Sequence, residues 1–575
     1  MNRLIALLAA TLVLAPTLTR AADETRLEVK DAPDARRKLL SVMQLELSRA
    51  RDNLKLGGYE APYYIGYQLK DYEQHQVSGR YGAIFSDESG RDRKLYVDVR
   101  VGSYELDNSG GDPLEVDFST MNNYATRKDA PLDDDARALR TALWLITDEK
   151  YKAALAGYLK KRSRQVYEVE QKEKAVSFTK ETPQKYVQPP VAFSFDRAAA
   201  QQLVREVGLL FKAHPEVFDS DVKVEATKQV RYLANTEGTE LITEDTIYAI
   251  HVQAVARAED GQLLENSRDY YAATASALPD LQKVKAETRE MIAELIALRK
   301  APVIDPYTGP AILAPVATGV LFHEVVGHRL EGDRQDDDKE GRTFKGQEGK
   351  AVLPSFLSVI DDPTLTHVGK TTLNGYYRFD EEGVPAQKVA LIEKGVLKNF
   401  LMSRRAIKGV DKSNGHGRSS GNRPPMARMA NLVVESARKV PATKLKQMLL
   451  DEARKQGKPY ALIIKDITGG NTNTSSYGYQ AFKGQPRLVY RVDTKTGKEE
   501  LVRGVEMVGT PLTTINKIAA TGDEVGVFNG YCGAESGYVP VSTVAPAALI
   551  TELELQRTAK ANERTPILPN PLTME

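Results

Sequence analysis

The sequence predicts an α+β protein in two parts, a mixed α/β N-terminal region followed by a β-rich C-terminal region. Three observations lead there. Residues 32–300 alternate between helical and strand periodicity. Beyond residue 310, Gly, Asn, Pro and Tyr are frequent and short apolar runs alternate with turns, as in NGYYRFDEEG (374–383) and LIEKGVLKNFL (391–401). The two regimes meet at residues 301–310, where Pro302, Pro306 and Pro310 break any regular element. At 575 residues the chain exceeds a single core, since domains usually run to roughly 100–200 residues. The expected organisation is a signal peptide at 1–22, an N-terminal domain at 23–300 with a candidate sub-boundary near 185, and a C-terminal domain at 301–575.

The opening segment, MNRLIALLAATLVLAPTLTRAADETR, places Arg3 before an apolar run at 4–14, then small residues at Ala21 and Ala22 ahead of an acidic stretch. That pattern reads as a secretory leader cleaved near Ala21. The apolar run is well short of the 18 or so residues a membrane span needs, and no later stretch is apolar enough to cross a bilayer. The expectation is therefore an exported, soluble mature protein, periplasmic in a Gram-negative cell.

Residues 32–56 follow as an amphipathic helix carrying Leu39, Leu40, Met43, Leu45 and Leu47. YYIGYQLKDY and KLYVDVRV read as strands; in the second, Leu95, Val97, Val99 and Val101 alternate onto one face. Asp133, Asp134 and Asp135 suit a helix N-terminus, and Leu143, Leu145, Leu155 and Leu159 continue that helix into the charged RSRQVYEVEQKEK. ETPQKYVQPP, ending at Pro190, reads as a linker or surface loop. Strands are expected at 222–232 and 239–257, punctuated at 235–238 and by EDGQ at 259–262, with a helix at 279–300. The acidic run 336–340 fits no EF-hand spacing and reads as a solvated loop.

Composition names no partner. A formal net charge of +1 with 27% charged residues offers no excess of either sign to draw nucleic acid or acidic lipid. The single cysteine, Cys532, excludes an internal disulfide. A lone cysteine is usually a buried small hydrophobe, and otherwise a nucleophile, a metal ligand or an intermolecular link.

Chemistry concentrates in AILAPVATGVLFHEVVGHRLEGD, an apolar helical run that ends in His323, Glu324 and His328. Only seven histidines occur in the chain, and two of them flank this glutamate. The familiar zinc-peptidase motif spaces its histidines at i and i+4, whereas these stand at i and i+5. On a regular helix of 3.6 residues per turn, i+5 lies about 140° around from i. Either a π-bulge or a break at Gly327 can bring the rings back together, and a glycine there eases both. The motif by itself leaves a metal site and an ordinary helix equally open.

HEVVGHRLEGD (323–333) resembles the active-site helix of the TldD/PmbA family. GHGRSSGNRPPMARMANLVVES (415–436) is similar to that family's Gly-Arg-rich, Pro-Met-X-Arg-Met segment. The Gly pair at 469 and 470, VRGVEMVGT at 502–510 and CGAESGYVPVSTVAPAALI at 532–550 follow in the family's order, so the resemblance covers roughly residues 300–560. It implies a two-domain TldD/PmbA-like architecture with the metal-binding helix in the C-terminal domain, and a zinc-dependent metallopeptidase acting on flexible or unfolded polypeptides. It further implies one Zn2+ per chain on His323, His328 and Cys532, with Glu324 as general base. The implied partners are an extended peptide and a second subunit, as a homodimer or as a heterodimer with a TldD/PmbA-type chain; no nucleic acid is expected.

Around that centre, Glu331 and Asp333 lie about one turn past His328 and are candidates to orient an imidazole. Asn422, Arg423 and Arg428 are candidates to line the site or bind a substrate carboxylate. His367 and His416 lack a spaced partner and read as ordinary loop or core histidines. Two further readings of a His2Cys set stay open: a copper electron-transfer site, and a non-catalytic peptide-binding scaffold with a structural metal.

Overall fold

The computed structural model describes residues 34–109, 129–165, 175–336, 340, 343–472, 474, 482–509 and 511–558. The expected leader and its cleavage point at Ala21 lie outside the described residues. None of the described helices is long and apolar enough to cross a membrane. The architecture is mixed α/β, with a six-stranded N-terminal sheet and a twelve-stranded C-terminal sheet.

The first sheet comprises β1 (Pro62–Arg80), β2 (Ala83–Val101), β3 (Lys185–Val187), β4 (Val217–Asn235), β5 (Glu240–Arg257) and β6 (Leu263–Ala272). Its order is β2-β1-β4-β5, and the outer edge of β5 takes β3 at residues 240–242 and β6 at 248–257. Tyr81 and Gly82 form the two-residue turn between β1 and β2, both at positive φ (48° and 81°). That turn geometry matches the right-handed twist of the flanking strands. The segment expected as a linker thus contributes β3 to this sheet, and β6, with polar residues on both faces, has too little alternation to stand out in sequence.

Alternation assigns the two faces of this sheet. On one face, Ile65, Tyr67 and Leu69 of β1 meet the helices α1 (Arg36–Asn53) and α2 (Ala136–Gln165) at one end, and Val222, Val252 and Ala254 meet α3 (Arg197–Gly208) and α4 (Leu281–Lys300) at the other. Asp135, Asp196 and Asp280 accept backbone N–H bonds from Ala138, Ala199 and Lys283 at 2.7, 3.0 and 2.8 Å, capping α2, α3 and α4. In α1, Leu39, Leu40, Met43 and Leu47 are buried, but Leu45 is 61% exposed. Two residues after Met43 is about 200° around the helix, so Leu45 belongs to the opposite face.

The second face of the sheet is buried yet polar. Gln68 donates to the Glu381 carbonyl at 2.7 Å, Lys70 to the Ser419 carbonyl at 2.8 Å, and Arg231 to the Phe379 carbonyl at 2.6 Å. Those long side chains satisfy loop carbonyls of the C-terminal half that have no ladder partner, which docks the two halves through hydrogen bonds. Burial pulls Lys70 down to about 8, against the opposing attraction of Glu381.

In the C-terminal half, β7 (Tyr307–Leu313) pairs with both Tyr460–Thr472 and Gly537–Arg557. The strands Phe482–Asp493 and Val505–Gly509 complete the circuit, closing five strands into a ring. After β7, Pro315 opens the helix α5 (Pro315–Phe322) at a position where its missing N–H is no loss. Ala317, Val320, Leu321 and Phe322 are all buried, so α5 is apolar around its circumference and threads the core. Burying one such Leu or Phe contributes about 1.5–3 kcal/mol.

The sheets also meet through aromatic rings. On β5, His251 donates to Asp269 at 2.6 Å and to Glu225 at 3.2 Å, and its ring abuts Tyr271, which packs edge-on against Tyr531. Burial disfavours charge on His251, but the two carboxylates outweigh it and raise the ring from 6.5 to about 9. The folded value exceeds the unfolded one, so this stabilisation is full below pH 6.5 and is lost as pH rises through about 9. Urea unfolding should show the native protein losing about 1–3 kcal/mol between pH 6 and pH 10 relative to His251→Gln; parallel pH profiles for the two proteins would discard this assignment.

Candidate metal centre

At Phe322 the α-helix gives way to a π turn, His323–Gly327, and then to a 3-10 turn, His328–Leu330. The His328 N–H bonds the His323 carbonyl, five residues back. One additional residue in the turn offsets the roughly 140° separation of a regular helix. The two imidazole centroids are consequently 5.1 Å apart with ring planes at 87°. Gly327 has ordinary right-handed backbone angles (φ −55°). What demands glycine there is space: a Cβ would lie 2.0 Å from Met429 Sδ. Gly470 is similar, because its Cβ would lie 2.5 Å from Glu324 Cγ.

Cys532 enters from the opposite side, on the strand Ile518–Ala534 paired with Gly537–Arg557. Its Sγ lies 3.1 Å from His323 Nε2 and 3.3 Å from His328 Nε2, and the three donor atoms fall within 4.8 Å of one another. Tetrahedral zinc, at about 2.0–2.1 Å from nitrogen and 2.3 Å from sulfur, sets such donors about 3.5 Å apart. The donor set therefore fits a metal cation with small adjustment of the side chains. Charge favours it too. Burial alone would raise the Cys532 thiol, but His323 and His328 hold it well below its ordinary value. Burial would lower His328, yet Glu331 and Cys532 push it up to about 10. A site that favours positive charge so strongly suits a cation once the imidazole proton leaves.

The next layer of side chains fixes these donors. Glu331 accepts from His328 Nδ1 at 3.1 Å and from Arg334 Nε at 2.7 Å. Burial would raise the Glu331 carboxyl, but His328 and Arg334 hold it at about 2. Arg428, fully buried, donates to the Cys532 carbonyl at 2.7 Å and to Ser536 Oγ at 3.0 Å, with its Nε 3.5 Å from Glu331. One guanidinium thus ties the cysteine hairpin to the carboxylate that orients His328. His323 Nδ1 is buried without a partner among the described residues.

Of the remaining candidates, Asp333 does not reach an imidazole. It accepts from the Ala427 N–H and from Ser403 Oγ at 3.1 Å, which anchors the 426–427 segment instead. Arg423 is exposed and donates to the Glu535 carbonyl at 3.0 Å, and Asn422 lies half-buried beside it. His416 is buried 3.3 Å from Asp361, and His367 is exposed in a two-residue strand. Of the acidic run, Glu340 pairs with Arg334 at 2.8 Å, and residues 337–339 lie outside the described residues. Sequence reasoning missed Arg329. It donates through Nη1 to the Glu324 and Val325 carbonyls at 2.8 and 3.3 Å, satisfying acceptors where the helical register changes. Its adjacency to His328 was the available signal.

Fold and site together define an α+β protein whose buried His2Cys donor set and neighbouring glutamate form a candidate metal centre. Residues 306–557 match the family model for the PmbA/TldA metallopeptidase C-terminal domain. The chain is 33% identical over 233 residues to a metalloprotease of Archaeoglobus fulgidus, covering 40% of this chain and 49% of that one. It is 24% identical over 349 residues to a zinc metalloprotease TldD homolog of Saccharolobus solfataricus, covering 60% and 72%. In fold, it is similar to the crystal structure of TldE from Thermococcus kodakarensis, with a TM-score of 0.60 and 12% identity over 90% of this chain and all of that one. Residues 306–557 are thus similar to the C-terminal domain of the PmbA/TldA metallopeptidases. The chain spans about half the length of the Archaeoglobus relative.

In protein loaded with zinc as a probe, Cys532→Ser should lose most of the metal after dialysis, and Glu331→Gln should hold it about 10–100-fold more weakly in competition with a chromophoric chelator. Native affinity in both proteins would mean that these groups do not hold the metal.

Proposed function

We propose that this chain hydrolyses peptide bonds in flexible or unfolded polypeptides, using one zinc ion held by His323, His328 and Cys532, with Glu324 as general base. The observation that carries the reading is the convergence of three donors on one point, with Glu324 on the turn that presents both imidazoles. Among the described residues the donor cluster has three members, which leaves a coordination position for substrate or water and favours catalysis over a closed structural site. When bound, zinc would acidify water toward a pKa of about 7 and polarise a scissile carbonyl.

Glu324 supplies the proton transfer. It is the most exposed of the four residues, at 9%, and its side chain is pressed against Gly470. There its carboxylate takes a proton from the attacking water and returns it to the leaving amine, a role worth about 10²–10⁴-fold in rate. The strand Tyr460–Thr472 passes this point paired to β7 only at residues 462–464. Beyond them, an extended peptide can lie along the strand through backbone bonds, which accounts for broad sequence tolerance. The leader-like segment at 1–22 supports export to the periplasm, and the likeness to TldD/PmbA proteins supports assembly as a homodimer or with a TldD/PmbA-type partner.

Glu324→Gln should keep zinc and bind an unstructured peptide while its kcat falls at least about 100-fold. Undiminished turnover in that variant would remove Glu324 as the base.

A further inference from the structure

Arg329 bridges the π turn and the strand Tyr460–Thr472. Besides the two carbonyls of the turn, its Nη1 donates to Thr472 Oγ1 at 3.0 Å. All of these bonds use one end of the guanidinium. Nη2 is closed to solvent and has no hydrogen-bond partner among the described residues, and the whole residue is 3% exposed. A buried donor left unpaired is unfavourable, and more so on a charged group. Holding the carbonyls of a turn does not by itself require a second amino group.

The location of that donor is informative. Gly470, Thr472 and Thr474 alternate onto one side of their segment: Gly470 touches Glu324, Thr472 takes Arg329 and Thr474 takes Arg334. Arg329 therefore stands one two-residue step along the strand from the proposed base, about 7 Å in extended chain. An extended peptide repeats its same-side carbonyls at that interval.

We propose that Arg329 is a substrate-positioning residue whose Nη2 donates to a carbonyl or terminal carboxylate oxygen of the peptide, two residues from the bond attacked at Glu324. The proposal rests on the peptidase reading above. Because Nη2 has no partner in this closed arrangement, an oxygen admitted by a local shift of the side chains covering it supplies a missing bond, and the planar fork holds that oxygen in a fixed direction.

The test is peptide binding in the Glu324→Gln background, measured by anisotropy with a fluorescent unstructured peptide and its C-terminally amidated twin. Zinc content and Tm are recorded for each protein. Arg329→Gln should bind about tenfold more weakly at unchanged zinc, the effect of losing one charge-assisted bond, and Arg329→Lys should recover only part of it. Loss of the Arg329 dependence on amidation assigns the carboxylate, and its persistence assigns the backbone carbonyl. Equal affinity in Arg329→Gln overturns the proposal. Should that variant lose zinc or melt early, Arg329→Lys decides: native affinity with full zinc and native Tm leaves Arg329 as a holder of the turn only. Cleavage by the unmutated enzyme is scored separately, so failure of the peptidase reading is distinguishable from failure of this one.

Discussion

The bond from the His328 N–H to the His323 carbonyl spans five residues, and the centre depends on that one register change. A regular helix would aim these imidazoles apart; the π turn brings both Nε2 atoms to a single thiol. Such a turn lacks the ordinary i to i+4 ladder and has to be held from outside. Arg329 takes carbonyls of the turn, Met429 fills the space left by Gly327, and α5 is locked in an apolar core on all sides. The irregular turn is thus held by a rigid surround.

Electrostatics carries the same constraint outward. Two imidazoles, a thiol and Glu331 are all buried, an arrangement that is stable only when each charge meets another. Arg428 and Arg334 close that set, and Arg428 also fixes the Cys532 backbone. The position of the cysteine is therefore set by a guanidinium from the 415–436 segment, and β1 in turn holds that segment through Lys70 and Ser419. The N-terminal sheet reaches the candidate metal centre by this route without contributing a donor atom to the cluster.

The sequence reveals those parts that local periodicity encodes. The α+β class, α1, α2 and α4, and the long strands β1, β4 and β5 are legible because an apolar stripe of period 3.6 or 2 marks each one. β3 and β6 are not, since β3 has three residues and β6 is stabilised by pairing with β5 more than by an apolar face. Lys70 and Arg231 look like solvated positions and are buried, because their partners are carbonyls about 150–350 residues away in sequence. At the site, the i, i+5 spacing reveals that some distortion is needed but leaves two ways to make it. Glu331 and Asp333 look alike in sequence; packing decides that only Glu331 faces His328. Gly327 shows the same limit, its role in sequence being flexibility and its role in the fold being room for Met429.

The central claim is that one zinc ion on His323, His328 and Cys532 drives peptide hydrolysis. The most direct test is metal analysis of the purified protein together with peptide cleavage before chelation, after chelation, and after zinc is restored. About one zinc per chain is expected, with loss of cleavage in the metal-free protein and its return with zinc. Undiminished cleavage by protein shown to be free of metal would contradict that claim.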